Sequence, residues 1–329
     1  MSTAVENGRP IPPVVHRNTA PVHVIGHGRS GTSVFIRLLR KYLQIAFGTE
    51  SQFIVRYYNR LERYGDLAEE SSRLRLVEDI CRERWFRRSG ERFGFSTTAD
   101  AILADTEEPS YAGVLDATFR QLAKHLDMQR WGDKTPEYID DLPLLYNLFP
   151  GAKYIHVVRD GRDVALSGFE MPFGEKNVFM AGRDWSTAIR KVNAFARSIN
   201  AEQFLEIRYE DFLSEPREQF VRLIEFLEID DSDGRLIDFI AGSISDDLML
   251  GNFNKWRTRL NPRQIRRFDG IASNELQQYG YETSVDGSRR PSPIETAYWW
   301  LDNKARRLVN WQNIKDTAYR LSLRRKLHS

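Results

Sequence analysis

Three features are scarce in this chain of 329 residues, and each scarcity excludes a class of protein. The single cysteine, Cys81, rules out an intramolecular disulfide and a zinc site built on several cysteines. No run approaches the roughly 18 apolar residues of a transmembrane helix, and residues 1–21 lack the apolar core of a secretion signal. The formal net charge is only +2, which gives little reason to expect a nucleic-acid partner. We therefore expect a cytoplasmic protein without a membrane-spanning segment.

The bulk composition predicts a globular protein. Hydrophobic residues make up 41% of the chain and charged residues 29%. The length suits one large domain or two smaller ones with a sizeable core. The pattern along the chain predicts three regions: a flexible N-terminus over 1–20, a main domain over 21–285, and a linker with an amphipathic C-terminal helix over 286–329.

One short stretch near the N-terminus carries the strongest functional signal. Val22–Ile25 is an apolar run that predicts a buried strand, and a glycine-rich polar turn follows over 26–33. From Val34 onward the apolar residues take helical spacing, which predicts a helix. A strand, a glycine turn and a helix start together form an anion cradle, because the helix N-terminus presents unpaired N–H groups and the positive end of its dipole.

The spacing of this turn departs from that of the nucleotide triphosphatases. Those proteins use G-x4-G-K-[ST], in which the lysine reaches the β- and γ-phosphates. Here the segment from Gly26 reads G-x4-G-T-S, so Thr32 stands in the lysine position and Arg29 supplies a cation elsewhere in the turn. An ordinary glycine-rich turn is the plain alternative, but the dense Arg-Ser-Gly-Thr-Ser run favours an anion site.

Further strands and helices alternate along the chain. Tyr154–Val158 predicts a second buried strand, and Phe204–Tyr209 predicts a third. Residues 139–149 have the pattern of a helix, which Pro150-Gly151 would end. This alternation indicates an α/β fold, a parallel β-sheet flanked by helices. Ligands of such sheets bind at the carboxyl ends of the strands, where the first two strands both lead into polar turns.

Four short segments carry a family resemblance: Gly26–Ser33 (GHGRSGTS), Gly132–Pro136 (GDKTP), Tyr154–Ser167 (YIHVVRDGRDVALS) and Asn254–Arg257 (NKWR). Together they resemble the sulfotransferases that use 3′-phosphoadenosine-5′-phosphosulfate (PAPS), over roughly residues 22–283 and most closely in the carbohydrate and tyrosylprotein-type branch. In that family the first segment resembles the 5′-phosphosulfate loop, the third the 3′-phosphate motif and the fourth the C-terminal cofactor loop, and GDKTP is also typical. The resemblance implies a P-loop-like sulfotransferase fold with a C-terminal helical extension.

The resemblance also implies a reaction and a cofactor. A sulfuryl group would pass from PAPS to an acceptor hydroxyl or amine, leaving adenosine-3′,5′-bisphosphate (PAP), with no metal required. PAPS is anionic at both ends, which agrees with two anion-binding turns. The residues that would bind it are Gly28, Arg29, Ser30, Gly31, Thr32, Ser33, Arg159, Ser167, Lys255, Trp256 and Arg257. Arg159 has an alternative role as the ion-pair partner of Asp160 or Asp163.

Three residues are expected to carry catalysis. The resemblance places Arg29 at the bridging oxygen of the phosphosulfate and Lys134 at the developing charge of the transition state. Glu50 follows the first helix, where glutamate-using relatives place the base that accepts the proton of the acceptor. His27 and His156 are the rival bases, although a mid-strand histidine such as His156 is more often a buried structural residue.

The acceptor and the partners are less defined. A carbohydrate, a phenol or a lipid would fit the aromatic residues of the less motif-like segments. The C-terminal helix either packs on its own domain, which we favour, or touches a membrane or a partner. Two other functions stay open at this point: a nucleotide or small-molecule kinase with a variant phosphate loop, and a non-catalytic nucleotide-binding protein of the same fold.

Overall fold

The computed structural model describes residues 12–172, 174–248 and 251–309, together with the backbone of residues 5–6 and 9–10. The chain divides into two compact units. The first unit comprises residues 1–26, 31–158 and 192–250, and the second comprises residues 27–30, 159–191 and 251–329. The predicted continuation of the C-terminal helix beyond residue 309 lies outside the described residues, as do residues 1–4 of the predicted flexible N-terminus.

A five-stranded parallel sheet forms the centre of the first unit. The strands of the described chain are β1 (Val5–Glu6), β2 (Arg9–Pro10), β3 (Val15–His16), β4 (Val22–Ile25), β5 (Ile45–Phe47), β6 (Arg130–Asp133), β7 (Lys153–Val158), β8 (Phe204–Arg208) and β9 (Ile229–Asp230). The order in the sheet is β5-β6-β4-β7-β8, with all neighbours parallel. The remaining strands form two short antiparallel pairs, β1 with β2 and β3 with β9. Helices flank the sheet, so the predicted α/β architecture is confirmed.

The helices account for most of the remaining regular structure. They are α1 (Thr32–Leu43), α2 (Ile54–Tyr58), α3 (Glu70–Cys81), α4 (Arg84–Phe93), α5 (Ala99–Ala104), α6 (Tyr111–His125), α7 (Leu142–Leu148), α8 (Gly161–Phe169), α9 (Val178–Ala196), α10 (Tyr209–Ser214), α11 (Pro216–Phe226), α12 (Arg235–Ser243), α13 (Trp256–Arg259), α14 (Pro262–Gln278) and α15 (Pro293–Val309). Short 3₁₀ turns cover Leu61–Arg63, Pro136–Asp140, Ala201–Gln203 and Ile244–Asp246. Among the described residues, no helix combines the length and the apolarity needed to cross a bilayer.

The buried character of the two central strands explains their pairing. Every residue of β4 and β7 is buried, as expected for parallel strands covered by helices on both faces. Their register pairs Ile25 with His156, so the two strands end side by side. The glycine-rich turn and the Arg159 turn therefore begin at neighbouring strand ends, as the sequence predicted.

Three sequence predictions differ from the structure in detail. The third predicted strand ends at Arg208, because Tyr209 already begins α10. The helix predicted over 139–149 is interrupted: a 3₁₀ turn ends at Asp140, and α7 then starts afresh with Pro143 in its first turn, where the missing N–H of proline is tolerated. Within the N-terminal segment, β3 pairs with β9, and the ring of His16 lies 2.9 Å from the carbonyl oxygen of Leu43.

The second unit is organised around a buried arginine. Arg162 at the start of α8 is 1% exposed and forms ion pairs with Asp160 at 2.7 Å and with Asp269 of α14 at 3.3 Å. Next to it, a Cβ atom on Gly161 would lie only 2.5 Å from the ring of Trp185, so a side chain here has no room. The hydrophobic and ionic contacts of this region thus fix the start of α8, where the Arg159 turn ends.

The C-terminal helix α15 packs on the second unit through one face. The side chain of Asn177 donates to the carbonyl oxygen of Trp299 at 2.9 Å, and the backbone N–H of Lys176 donates to Asn303 at 2.6 Å. The guanidinium group of Arg267 lies 4.0 Å from the centre of the Trp299 ring. These contacts hold α15 against residues that precede α9 and against α14.

Candidate active site

The N-terminus of α1 has the features of an anion site. Gly31 is its N-cap with φ of 88°, no side chain caps the helix, and its first turn contains no acidic residue. The free N–H groups and the positive end of the helix dipole are therefore available to an anion. A Cβ atom on Gly31 would lie 2.2 Å from the ring of Tyr209, so both the backbone conformation and the close approach require glycine.

Arg29, Arg159 and Ser167 lie together in the second unit. The Nε of Arg29 donates to the Oγ of Ser167 at 2.9 Å, and the Nη1 of Arg159 donates to the carbonyl oxygen of Arg29 at 3.3 Å. The Nη2 of Arg159 also donates to the carbonyl oxygen of Asn252 at 2.9 Å. The structure thus brings together residues from two motifs that are 130 positions apart in the sequence.

The structure also bears on the alternative role of Arg159. Asp160 is engaged by Arg162, whose Nε and Nη2 donate to its two carboxylate oxygens at 2.9 and 2.7 Å. Asp163 accepts a hydrogen bond from the backbone N–H of Trp256 at 2.9 Å. Burial raises the pKa of Asp163, an effect that this hydrogen bond and the charge of Arg159 oppose. Arg162 therefore forms a buried ion pair with Asp160, while the charge of Arg159 acts on Asp163.

The NKWR segment meets the Arg159 turn through Trp256. Its ring is 5% exposed, and the guanidinium groups of Arg162 and Arg257 lie 3.6 and 4.7 Å from its centre. Arg257 also pairs with Glu282 at 2.9 Å. Lys255 is exposed at the start of α13. The segment places a buried aromatic anchor between two surface cations, Lys255 and Arg257.

Glu50 and Lys134 meet in the first unit. The Nζ of Lys134 donates to the carboxylate of Glu50, and the lysine side chain is only 6% exposed while that of the glutamate is 33% exposed. The carboxylate is therefore held in one orientation and still reaches solvent. Two residues predicted to be catalytic from separate segments thus form one pair.

Buried hydroxyl groups fix the two segments that carry this pair. The backbone N–H of Ser51 donates to the Oγ1 of Thr135 at 3.0 Å, and its Oγ lies 2.9 Å from the hydroxyl of Tyr138. Beside them, Asp133 is 3% exposed, and burial raises its pKa to about 6 against the opposing hydrogen bonds of Thr135 and Ser51. Glu50 directly precedes Ser51, and Lys134 lies between Asp133 and Thr135. The hydrogen bonds of this cluster therefore fix the backbone of both residues.

The histidines differ sharply from one another. The ring nitrogens of His27 face two acceptors, the carbonyl oxygen of Gly28 at 2.8 Å and the carboxylate of Asp184 at 2.9 Å. Burial opposes protonation of His27, but the hydrogen bond and charge of Asp184 outweigh it, so its pKa is raised. An imidazole that donates from both nitrogens is a cation and has no lone pair with which to accept a proton. His156 is 1% exposed and contacts Glu206 at 3.0 Å.

The first unit contains a cleft of about 460 Å³, and some of its lining residues are near Glu50 and Lys134 in the sequence. Its lining residues are Gln52, Val55, Arg56, Asn59, Arg60, Glu137, Tyr138 and Asp141. Gln52 is two residues from Glu50 and donates to Glu137 at 3.0 Å, and Tyr138 contacts the intervening Ser51. Most of the lining residues are polar or charged, but the surface that they expose to the cleft is more apolar than polar, which suits an amphipathic ligand.

Sequence reasoning missed several residues that support these sites. Asp184 and Asn252 lie outside every sequence motif. Only the folded structure shows that Asp184 contacts His27 and that the carbonyl oxygen of Asn252 binds Arg159. The hydroxyls of Ser51 and Tyr138 were also missed, although Tyr138 lies just after the GDKTP segment and could have been sought there. Over the described residues, no group of three or more His, Cys, Asp or Glu side chains is arranged to hold a metal ion.

Comparisons with known proteins agree with this geometry. The Sulfotransferase family model matches residues 21–233. A putative protein-tyrosine sulfotransferase of Caenorhabditis elegans is 25% identical over 189 residues, which cover 50% of this chain and 70% of the relative. Protein-tyrosine sulfotransferase A of the same organism is 23% identical over 305 residues, covering 85% of this chain and 72% of the relative. The sulfotransferase domain of the Synechococcus PCC 7002 olefin synthase has a similar fold, with a TM-score of 0.52 and 18% identity over 81% of this chain and 97% of that domain.

The family match covers well over half of the chain, so the chain belongs to the sulfotransferase family. The predicted family, the α/β fold and the enzyme class are confirmed. The kinase alternative is not favoured, which agrees with Thr32 in the position of the phosphate-loop lysine.

Proposed function

We propose that this protein transfers a sulfuryl group from PAPS to a hydroxyl or amine group of an acceptor. The observation that carries the proposal is the contact of Arg29 with Ser167 and of Arg159 with the backbone of Arg29. Two arginines and a hydroxyl from separate motifs form a cationic cluster, as a ligand with several anionic groups requires.

The glycine-rich loop would hold the 5′-phosphosulfate. The backbone N–H groups of residues 31–33 and the hydroxyls of Ser30, Thr32 and Ser33 donate to its oxygens, and Arg29 neutralises the charge on the bridging oxygen as the S–O bond breaks. The open N-terminus of α1 and the glycine at position 31 fit such a group without further change. Gly28 has no neighbour within 4 Å of where a Cβ atom would lie, so its backbone is open to a ligand.

Arg159 and Ser167 would bind the 3′-phosphate. Arg159 is 7% exposed, so its interaction with a phosphate is weakly screened by water and correspondingly strong. Lys255, Trp256 and Arg257 would complete the binding of the cofactor, with Trp256 as the buried anchor of the segment and its two neighbours as cations.

Glu50 would accept the proton of the acceptor, and Lys134 would stabilise the negative charge that develops at the reacting group. When bound, PAPS supplies the activated sulfuryl group. Glu50 accepts the proton of the acceptor, since its carboxylate is partly exposed and oriented by Lys134. The Lys134 ammonium then stabilises negative charge beside the reacting group. His27, the rival base in the loop, would act as a cation of the phosphosulfate loop because both of its ring nitrogens face hydrogen-bond acceptors.

The acceptor would enter through the cleft next to Ser51. Its lining offers both charged side chains and apolar surface, a combination that suits a peptide or a sugar ring. Since the two relatives are named for protein tyrosine, a tyrosyl peptide and a carbohydrate are the first acceptors to assay. A cytoplasmic location stays a prediction, which cell fractionation tests.

Calorimetry with PAP tests the cofactor assignment. We expect micromolar binding of PAP without magnesium and much weaker binding of ADP, which lacks the 3′-phosphate. Replacing Arg159 with alanine should weaken PAP binding by about 10- to 100-fold, the usual effect of losing a charged hydrogen bond. The matched control is Arg217→Ala, which removes an exposed arginine that pairs with Asp238 on the surface of the first unit.

Three results would each count against the assignment. Equal affinity for PAP and ADP would show that the protein has no site for a 3′-phosphate. Unchanged PAP binding by the Arg159→Ala variant would place that phosphate elsewhere. A strict requirement for magnesium would return the loop to the nucleotide-hydrolysing class.

A further inference from the structure

The exposed apolar side chains of the described chain are concentrated on one helix. Five of its eight large exposed hydrophobic residues belong to α15. These five are Ile294 (84% exposed), Tyr298 (60%), Trp300 (44%), Leu301 (60%) and Leu308 (76%). A single exposed apolar residue needs no explanation, but a cluster of this kind marks an interaction surface.

Their spacing places four of them on one stripe. Ile294, Tyr298, Leu301 and Leu308 follow one another by four, three and seven residues, which keeps them on one side of a helix with 3.6 residues per turn. Asn303 and Trp299, which bind the second unit, lie on the opposite side of the helix. The helix is therefore anchored by one face and presents a continuous apolar stripe on the other.

The two acidic residues of α15 are neutralised by arginines, and basic residues outnumber acidic ones in the C-terminal part of the sequence. Glu295 is paired with Arg289 at 2.6 Å and Asp302 with Arg306 at 2.8 Å. The sequence from residue 251 to 329 holds 16 Lys and Arg against 7 Asp and Glu, a net charge of +9. Residues 1–250 carry a net charge of −7, so the excess of positive over negative charge lies in the part of the sequence that contains α15.

We propose that α15 is a docking surface for an anionic lipid bilayer, on which the helix lies parallel to the membrane plane. Its apolar stripe enters the boundary between headgroups and acyl chains, and the surrounding cations contact the lipid phosphates. Tyr298 on the stripe and Trp300 on its flank have the amphipathic rings that favour this interface. A second copy of the chain is disfavoured as the occupant, because it would bring two regions of charge +9 together.

This inference does not depend on sulfuryl transfer, because its test measures binding alone. The full 329-residue chain is sedimented with sucrose-loaded vesicles of phosphatidylcholine, and with vesicles in which part of that lipid is replaced by phosphatidylglycerol. We expect binding to the anionic vesicles only, and we expect added salt to weaken it. The test variant is Tyr298→Ser combined with Leu301→Ser, which should lower vesicle affinity on the order of tenfold.

The matched control carries two equally simple changes on exposed apolar residues away from α15. Val15→Ser combined with Val221→Ser removes side chains that are 48% and 41% exposed in the first unit. This control should bind as the unchanged chain does. Thermal unfolding of both double variants checks that each remains folded, which the exposure of all four side chains leads us to expect.

Each alternative outcome overturns the proposal in a recognisable way. Equal binding to neutral and anionic vesicles, or no binding to either, removes the anionic bilayer as the partner. Unchanged binding by the Tyr298→Ser, Leu301→Ser variant moves any membrane contact away from α15. A dimer in analytical ultracentrifugation that this variant dissociates would instead identify the stripe as a contact between copies of the chain.

Discussion

Arg29 combines an unusual backbone with a defined side-chain contact. Its φ of 75° lies in the left-handed region, which costs a non-glycine residue about 1 kcal/mol or more. Two hydrogen bonds hold this conformation. Arg159 donates to the carbonyl oxygen of Arg29, and the Nε of Arg29 donates to the hydroxyl of Ser167. The side chain is thereby positioned before any ligand arrives, as electrostatic catalysis requires.

Replacing Arg29 with alanine should remove most sulfuryl-transfer activity. The loss of one preorganised charged donor typically lowers kcat by about 100- to 1000-fold. The measurement is turnover with PAPS and a responsive acceptor, compared with the Arg217→Ala control. Activity within a few-fold of the unchanged enzyme would show that Arg29 does not contact the reacting group.

Glu50→Gln tests the proton acceptor. The amide keeps the shape of the side chain and can still accept a hydrogen bond from Lys134, but it cannot take a proton. We expect turnover to fall by about 100-fold or more while PAP affinity stays unchanged. Full activity of this variant would move the base role to a histidine.

At the scale of elements, the start of α1 is the most constrained part of the loop. Gly31 needs a positive φ, and the ring of Tyr209 occupies the space that any side chain would take. No side chain caps the helix, which lowers its stability and leaves its N-terminus open, as the proposed phosphosulfate site requires.

Gly31→Ala and Gly28→Ala form a matched pair that tests this constraint. We expect the first substitution to lower the free energy of unfolding by about 2 kcal/mol or more, because it adds overlap with Tyr209 to an unfavourable φ. The second should change it by less than about 1 kcal/mol, since nothing lies within 4 Å of the new methyl group. Urea unfolding measures both, and equal effects would contradict the close approach.

The elements also show what sequence patterns could and could not reveal. β4 and β7 were predictable because they are continuous apolar runs followed by polar turns. β5 is apolar but has only three residues, and β6 reads Arg-Trp-Gly-Asp, so the first is too short and the second too polar to predict a strand. Arg130 in β6 is nonetheless fully buried, with its guanidinium bound to the carbonyl oxygen of Leu227.

Sequence could likewise propose some residues of the candidate site but not others. Arg29 could be proposed from the chemistry of its glycine-rich turn, and Arg159 and Glu50 could be proposed from the family resemblance of their segments. The partners that hold them could not, because contacts such as His27 with Asp184 join positions 157 apart. Long-range contacts of this kind become visible only once the chain is folded.

For the molecule as a whole, two buried histidines contribute to the response to acid. Burial lowers the pKa of His23 to about 3, and burial with the charge of Arg130 lowers that of His16 to about 4. Unfolding lets both bind protons near their ordinary pKa of 6.5, so their contribution to stability is present above pH 6.5 and is lost as the pH falls. Asp133 acts in the opposite direction, because its pKa is raised to about 6 and its contribution is lost as the pH rises through that value.

His23→Leu isolates one of these contributions. The ring of His23 packs against Trp131, Phe149 and Tyr154, so a leucine of similar volume can remain buried there. Between pH 6.5 and 4, we expect the unfolding free energy of the variant to fall less steeply than that of the unchanged chain, by up to about 1.4 kcal/mol per pH unit. Urea unfolding at several pH values measures this, and parallel curves would show that His23 remains protonated in the folded chain.

The order of strands in the sheet determines when the sheet can begin to form during translation. β4 is made first of the five, but its two neighbours, β6 and β7, begin at residues 130 and 153. β5 pairs only with β6, so a nascent chain that stops before residue 130 cannot form a single hydrogen-bonded pair of this sheet. The apolar segments Val22–Ile25 and Ile45–Phe47 therefore stay unpaired during translation until more than a third of the protein has been synthesised. Unpaired apolar strands of this kind are sites at which chaperones bind or chains aggregate.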